Sequence, residues 1–445
     1  MKQLSFLEQG DILAQTVKQT ATRTDRSRLE DKFASRLREE PQLANLVSYV
    51  GNKGIPVLRL YRYKEAFAFS FVEEFISRFG LSEKDYIFDP FCGMSTTLFA
   101  ASRKGIPSIG VDKLPIAVFV AQTLPLFYSL NPGQIKETFE QLRLRVQQAP
   151  PASVALDVAI MKVAFPPDTL LELRKWKTVI DELGYPLRDV FLLLFFSTLE
   201  ACSYTSKDGQ FLRLVRKKMT ADPEEALENR VSEAERDIQL VRQFKWDQAV
   251  QLPTVHLGDT RDLSNIDFGR QPTAIITSPP YANRYDYTRT YSLELCLHFV
   301  RNFAELKTLR FGILRSHIES KVGPQEQPPH TAVREVVDIL KSKGKELNNP
   351  RIPTMLIGYF VDMQQVIREW ARVLAPKARV AMIVDNVRFE GEMLPVDLVL
   401  SEMAEEAGFQ VEEIVVARYK GNSSQQMGKY GRVPVRESVV VWRKP

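Results

Sequence analysis

Tyr86-Ile87-Phe88-Asp89-Pro90-Phe91-Cys92-Gly93-Met94-Ser95-Thr96-Thr97 begins as a buried strand, turns through small residues and runs into an apolar helical stretch from Leu98 to Arg103. Strand, tight turn and helix in that order belong to a doubly wound α/β sheet. There the turn sets backbone N–H groups and a helix N-terminus against a ligand, in the crevice outside the carboxyl ends of the strands. The next strand-like piece, Ser108-Ile109-Gly110-Val111, ends on Asp112. A carboxylate at that distance down the chain is placed to accept both hydroxyls of a ribose. A third piece, Thr254-Val255-His256-Leu257, ends in Gly258-Asp259, where an acid can receive an adenine amino group. Together these features outline a site for a nucleoside cofactor.

Further along, the apolar run Thr273-Ala274-Ile275-Ile276 leads into Thr277-Ser278-Pro279-Pro280-Tyr281. Consecutive prolines donate no backbone hydrogen bond and hold the chain extended, so the carbonyls around Ser278 and Pro279 become fixed acceptors. Acceptors of that kind suit an exocyclic amine. A tyrosine directly after them can stack on a planar heterocycle, worth roughly 1–3 kcal/mol per base. The motif therefore points to a nucleobase.

With both motifs in place, the chain resembles the amino-group DNA methyltransferases, whose cofactor motif reads D-P-F-x-G-x-G-T-T and whose catalytic motif reads [D/N/S]-P-P-[Y/F]. The resemblance covers about two thirds of the chain. It implies a Rossmann-like class I methyltransferase sheet, mostly parallel with an antiparallel last strand, and S-adenosylmethionine as cofactor. It places Asp89, Pro90, Phe91, Gly93, Ser95, Thr96, Asp112 and Asp259 at the cofactor and Ser278, Pro279, Pro280 and Tyr281 at the reacting amine. Tyr61 to Phe71 resembles the segment that closes over the methionine end of the cofactor. One position departs from the pattern: Ser95 stands where the family has its second glycine. Either Ser95 tolerates a backbone geometry that favours glycine, or its hydroxyl replaces a water near the methionine carboxylate.

Ser278 favours cytosine-N4 over adenine-N6 as the methylated amine, because serine commonly stands there in the cytosine enzymes of the resembling family. Accepting hydrogen bonds from the amine protons bends the nitrogen toward sp3, and an in-line transfer then needs alignment and proton acceptance. Carbon-5 methylation needs a cysteine nucleophile, normally after proline, whereas Cys92, Cys202 and Cys296 follow Phe, Ala and Leu. Two further alternatives are an RNA guanine-N2 methyltransferase, which shares related signatures, and an inactive DNA-binding subunit, for which the Ser95 departure speaks.

Double-stranded DNA is the expected partner, with base flipping, because an amine inside the paired stack is closed to in-line attack. Cations interleaved with aromatics after the catalytic motif (Arg284, Tyr287, Arg289) suit phosphate contacts beside stacked bases. Basic clusters at Arg213, Arg216, Lys217 and Lys218, and at Arg310 and Arg315, are further candidates; solvated helix faces are the competing reading. The net charge of +5 is mild for a nucleic-acid binder, so the case rests on these local clusters. A separate restriction endonuclease or defence subunit is implied by resemblance alone.

With 445 residues and 44% hydrophobic content the chain can bury a large core. Three scattered cysteines and four histidines give neither a disulfide framework nor a metal site. No apolar span is long enough for a membrane and no secretory signal opens the sequence, so a cytoplasmic, DNA-associated prokaryotic enzyme is expected. Motif order divides the chain into a helical N-terminal extension (1–50), the first half of the methyltransferase domain (51–125), a helical insertion that is a candidate for target recognition (126–250), and the second half (251–445) with an inserted segment at about 299–353. Glu224 to Phe244, with alternating charges, reads as an exposed helix. Val411 to Tyr419 and Ser438 to Trp442 read as a closing antiparallel pair.

Overall fold

The computed structural model describes residues 24–207, 212–215, 217–246, 251–323, 325–421 and 424–445. Arg216 and the start of the N-terminal extension lie outside the described residues. One eight-stranded sheet organises the chain: β1 (Leu37–Glu39), β2 (Ile87–Asp89), β3 (Ser108–Asp112), β4 (Thr254–Leu257), β5 (Ala274–Thr277), β6 (Arg379–Asp385), β7 (Gln410–Lys420) and β8 (Val435–Arg443). Their order across the sheet is β1-β7-β8-β6-β5-β2-β3-β4. The five strands from β6 to β4 are parallel, while β8 runs antiparallel to both β6 and β7. This is a Rossmann-like class I methyltransferase sheet.

Period-two alternation divides each central strand between two cores. Ile87, Ala274, Ile276, Ala381 and Ile383 face one, and Phe88, Ile275, Val380, Met382 and Val384 face the other. The first core is completed by the helical insertion, including the helix Leu187–Thr198, which is buried from Val190 to Phe196. The second is covered by the helices Thr331–Ser342, Ile352–Val373 and Val396–Glu406. The closing pair read from Val411 to Tyr419 and Ser438 to Trp442 is antiparallel as expected, and because β8 is hydrogen-bonded on both edges and packed on both faces, Ser438 to Trp442 form a continuous buried run.

Two segments differ from their sequence reading. The N-terminal extension contains the helix Asp25–Phe33, capped by the Thr24 side chain, but then adds β1 to the sheet edge, parallel to β7. The helix Pro223–Gln243 is not an exposed rod, since one side of it is buried together with Glu235 and Asp237. Glu235 accepts from the backbone N–H groups of Gly133 and Ile135. Asp237 accepts from the Val57 N–H at 2.7 Å and from Arg59. Acids that read as solvated charges in sequence here satisfy loop N–H groups that packing would otherwise strand.

Strand order reverses between β2 and β5, whose successors depart in opposite directions across the sheet. At such a point the loops following adjacent strands separate and leave a crevice. Among the described residues, no helix is long and apolar enough to cross a membrane.

Candidate active site at the switch point

A cavity of about 850 Å³ occupies that crevice. Its wall takes Pro90 to Met94 and Thr96 from the loop after β2, Asp112 to Leu114 after β3, Gly258 to Arg261 after β4, and Ser278 and Pro280 after β5. Four strand ends separated in sequence thus converge on one space. Tyr63, Glu65, Ala66 and Phe67 cover it from the segment expected to close over the methionine end, and Tyr287, Ile313, Leu314 and Ser316 complete it.

Asp112 is fixed from below: Gly93 N–H donates to Oδ2 at 2.9 Å and Leu114 N–H to Oδ1 at 2.8 Å. Each oxygen keeps lone pairs free toward the cavity. Burial pushes this carboxyl up to about 6, against those backbone hydrogen bonds. Gly93 has φ +48°, and a Cβ there would stand 3.4 Å from the Tyr63 ring. That Cβ would be an ordinary contact, so the positive φ is what calls for glycine. Opposite, Asp259 accepts from Arg261 Nε at 2.9 Å and Nη2 at 2.7 Å. Burial works to raise the Asp259 carboxyl, but Arg261 outweighs it and holds it below the usual carboxylate range. Arg261 is a wall residue the sequence reading missed; the only signal was a cation two places after the acid.

Asp89 and Ser95 stand behind the wall rather than on it. Asp89 is 1% exposed and its Oδ1 accepts from Thr277 Oγ1 and from Phe91 N–H. Ser95 is equally buried, with φ +77° and ψ 25°, and is the residue from which the helix Thr96–Arg103 starts. Serine therefore adopts the left-handed geometry that the glycine of the resembling family would supply. Its neighbour Thr96 does line the cavity, and Thr96 Oγ1 is buried without a hydrogen-bond partner.

At the other end, Ser278 Oγ lies 3.3 Å from the Tyr281 hydroxyl and 3.4 Å from the Ile383 carbonyl. Its single proton can serve one of them, leaving acceptor capacity toward the cavity. Pro279 and Tyr281 are not on the cavity wall. The Tyr281 ring packs beside the first core, with Lys420 Nζ 5.9 Å from its centroid.

Of the expected DNA contacts, Tyr287 is on the cavity wall and Arg284 is half-buried beside the catalytic loop. Arg289 is exposed and paired with Glu319. Arg213 and Lys217 are exposed next to the short strand Arg213–Leu214. Two others, Arg315 and Lys218, are tied into the protein. Arg315 donates to Asp362 Oδ1 at 2.7 Å and to Glu326 Oε2 at 2.6 Å. Lys218 Nζ donates to the carbonyls of Glu200 and Thr205, and burial pushes its ammonium down. Long side chains near an apolar surface find internal acceptors that sequence spacing does not reveal.

These residues fit S-adenosylmethionine. Asp112 offers oriented acceptors for a diol, Asp259 an acceptor for an amine, and the unpartnered Thr96 hydroxyl a further polar contact, all in one covered cavity. Sheet and site together define a class I methyltransferase that uses S-adenosylmethionine.

The relatives narrow the class. The chain is 32% identical to the Type II methyltransferase M.BsoBI of Geobacillus stearothermophilus, over 96% of this chain and 93% of that protein. It is 34% identical to the Type II methyltransferase M.AvaI of Nostoc sp., over 94% and 92% of the two chains. The chain belongs to the Type II DNA methyltransferase family. No family model matches it. Among solved structures it is similar to TrmN from Thermus thermophilus, with TM-score 0.27 and 10% identity over 85% of this chain and 49% of that one. It is also similar to the rRNA methyltransferase aviRa from Streptomyces viridochromogenes, with TM-score 0.30 and 12% identity over 90% and 89%. Neither likeness bears on the substrate.

Proposed function

We propose that the protein methylates the exocyclic N4 amine of a cytosine swung out of double-stranded DNA, at a defined sequence and as part of a restriction–modification or defence system. The observation that supports this reading is the placement of Ser278 on the cavity wall, with Oγ held by Tyr281 and Ile383 so that it keeps acceptor capacity. When bound, S-adenosylmethionine supplies a methyl group activated by a positive sulfur.

The protein's own contribution is positioning. Ser278 Oγ accepts from an amine proton, which favours a pyramidal nitrogen with its lone pair directed into the cavity. Once nitrogen is methylated its excess proton passes to solvent, because a serine hydroxyl accepts a hydrogen bond but is too weak a base to keep the proton. Asp112, Asp259 and Thr96 hold the cofactor at the other end, and Tyr63, Ala66 and Phe67 exclude water from above. Proximity and alignment supply most of the rate in such a transfer, because the attacking nitrogen needs no covalent activation. Tyr287, Arg289, Arg213 and Lys217 are assigned to the DNA.

Mass spectrometry of nucleosides from DNA methylated by the protein tests the reading. N4-methylcytosine is expected, and N6-methyladenine as the sole product overturns the choice of base. Methyl transfer to RNA in preference to duplex DNA would overturn the choice of substrate.

A further inference from the structure

We propose that Arg284, seated on the ring of Phe389, is a preformed clamp for one backbone phosphate of the target DNA at the mouth of the catalytic loop. The inference rests on the DNA reading above and adds to it a specific ligand group and a second element, the hairpin Val387–Phe389 with Glu392–Leu394.

The surrounding arginines have their charge answered by acids. Arg289 and Arg310 share Asp286 and Glu319, Arg315 holds Asp362 and Glu326, and Arg261 holds Asp259 and Asp362. Arg284 is the exception. It is half-buried, its Nε is enclosed without a hydrogen-bond partner, and its guanidinium carbon stands 5.9 Å from the centroid of Phe389. The carboxylate nearest in sequence to that ring, Glu390, is already taken by the Tyr430 hydroxyl at 2.5 Å and by Lys429 at 3.3 Å. Arg388 on the same hairpin gives its donors to the carbonyls of Gly391, Tyr430 and Gly431.

A guanidinium withdrawn from water with no ion-pair contact, and with only the field of Glu390 to set against its burial, is costly, and an arriving anion repays that cost. The DNA strand offers one such anion per nucleotide, with two oxygens spaced for the guanidinium fork. The backbone agrees with a functional reason for this placement: Arg284 has φ +73°, three residues after Tyr281. Non-glycine residues hold that conformation only at a cost, and such positions cluster at ligand clamps. The aromatic platform limits the rotamers of a long side chain, so less freedom is lost on binding.

The test is duplex binding by the full chain across a salt series, with the wild type, Arg284→Gln, Arg284→Lys and Phe389→Leu, and cofactor binding as the folding control. Arg284→Gln is expected to weaken binding roughly tenfold on cognate and unrelated duplexes alike, and to reduce the slope of log affinity against log salt by about 0.9, one phosphate's share. Arg284→Lys is expected to keep the wild-type slope. Phe389→Leu is expected to keep the slope and weaken binding severalfold. An unchanged slope in Arg284→Gln, or a loss confined to one base pair of the cognate site, overturns the phosphate assignment; unchanged binding in Phe389→Leu overturns the platform. A wild-type chain that binds no duplex, while still binding cofactor, would instead remove the DNA reading on which the inference stands.

Discussion

The Thr277 hydroxyl donates to Asp89 Oδ1 at 2.6 Å across 188 residues of sequence. Asp89 ends β2, where the cofactor loop begins, and Thr277 ends β5, where the catalytic loop begins. The bond therefore locks the two loops together at the reversal of strand order.

That pairing has a pH signature. Burial pushes the Asp89 carboxyl up to about 7, against the hydrogen bonds from Thr277, Thr97 and Phe91. An acid whose folded value lies above its unfolded one keeps its proton longer in the folded chain. Its contribution to stability is thus full below about pH 4 and lost as the pH rises through about 7. Asp89→Asn should flatten this part of the pH dependence, read as the difference in urea midpoint between variant and wild type from pH 4 to pH 7. Parallel curves for the two proteins would show that Asp89 ionises normally.

Ser278→Ala removes one of the acceptors for the amine while leaving the cofactor end intact. Single-turnover methylation should slow at least about tenfold, equivalent to about 1.4 kcal/mol of barrier. Cofactor affinity by titration calorimetry should stay at the wild-type value. An unchanged rate would remove Ser278 from the chemistry.

Ser95→Gly addresses the departure from the family motif. At φ +77° a serine is strained, and glycine relieves that strain while making the unfolded chain more flexible. A net gain of about 1 kcal/mol in urea unfolding is expected. Cofactor affinity should not change, because Ser95 stands behind the cavity wall. Weakened cofactor binding would restore a direct role for the hydroxyl.

Arg315→Ala separates internal cations from DNA contacts. Asp362 is 2% exposed, and losing the Arg315 guanidinium leaves it Arg261 and the backbone N–H of residue 315. Destabilisation by about 3 kcal/mol is expected, with the salt slope of DNA binding unchanged. A shallower slope would put Arg315 on the phosphates after all.

Much of the architecture was legible because it is written locally. The run Tyr86 to Thr97 specifies strand, turn and helix through residues that are neighbours in the chain, and the acids ending β3 and β4 sit at fixed offsets from apolar runs. The same locality made Ser278 to Tyr281 readable as a rigid acceptor loop. Pattern misled where the partner was distant in sequence. Asp237 looked solvated until Val57 and Arg59 were brought against it.

The sequence by itself determined the class of sheet, the order of its motifs and the kind of ligand that fits them, since each depends on short-range periodicity and on backbone constraints carried by proline, glycine and chain-end acids. Only the tertiary structure decided which charges are spent inside the protein and which face outward. Arg315 and Arg284 read alike as letters, yet packing gives one a pair of carboxylates and the other an aromatic ring. Coulombic pairing is set by distance in space, and folding rather than spacing along the chain fixes that distance.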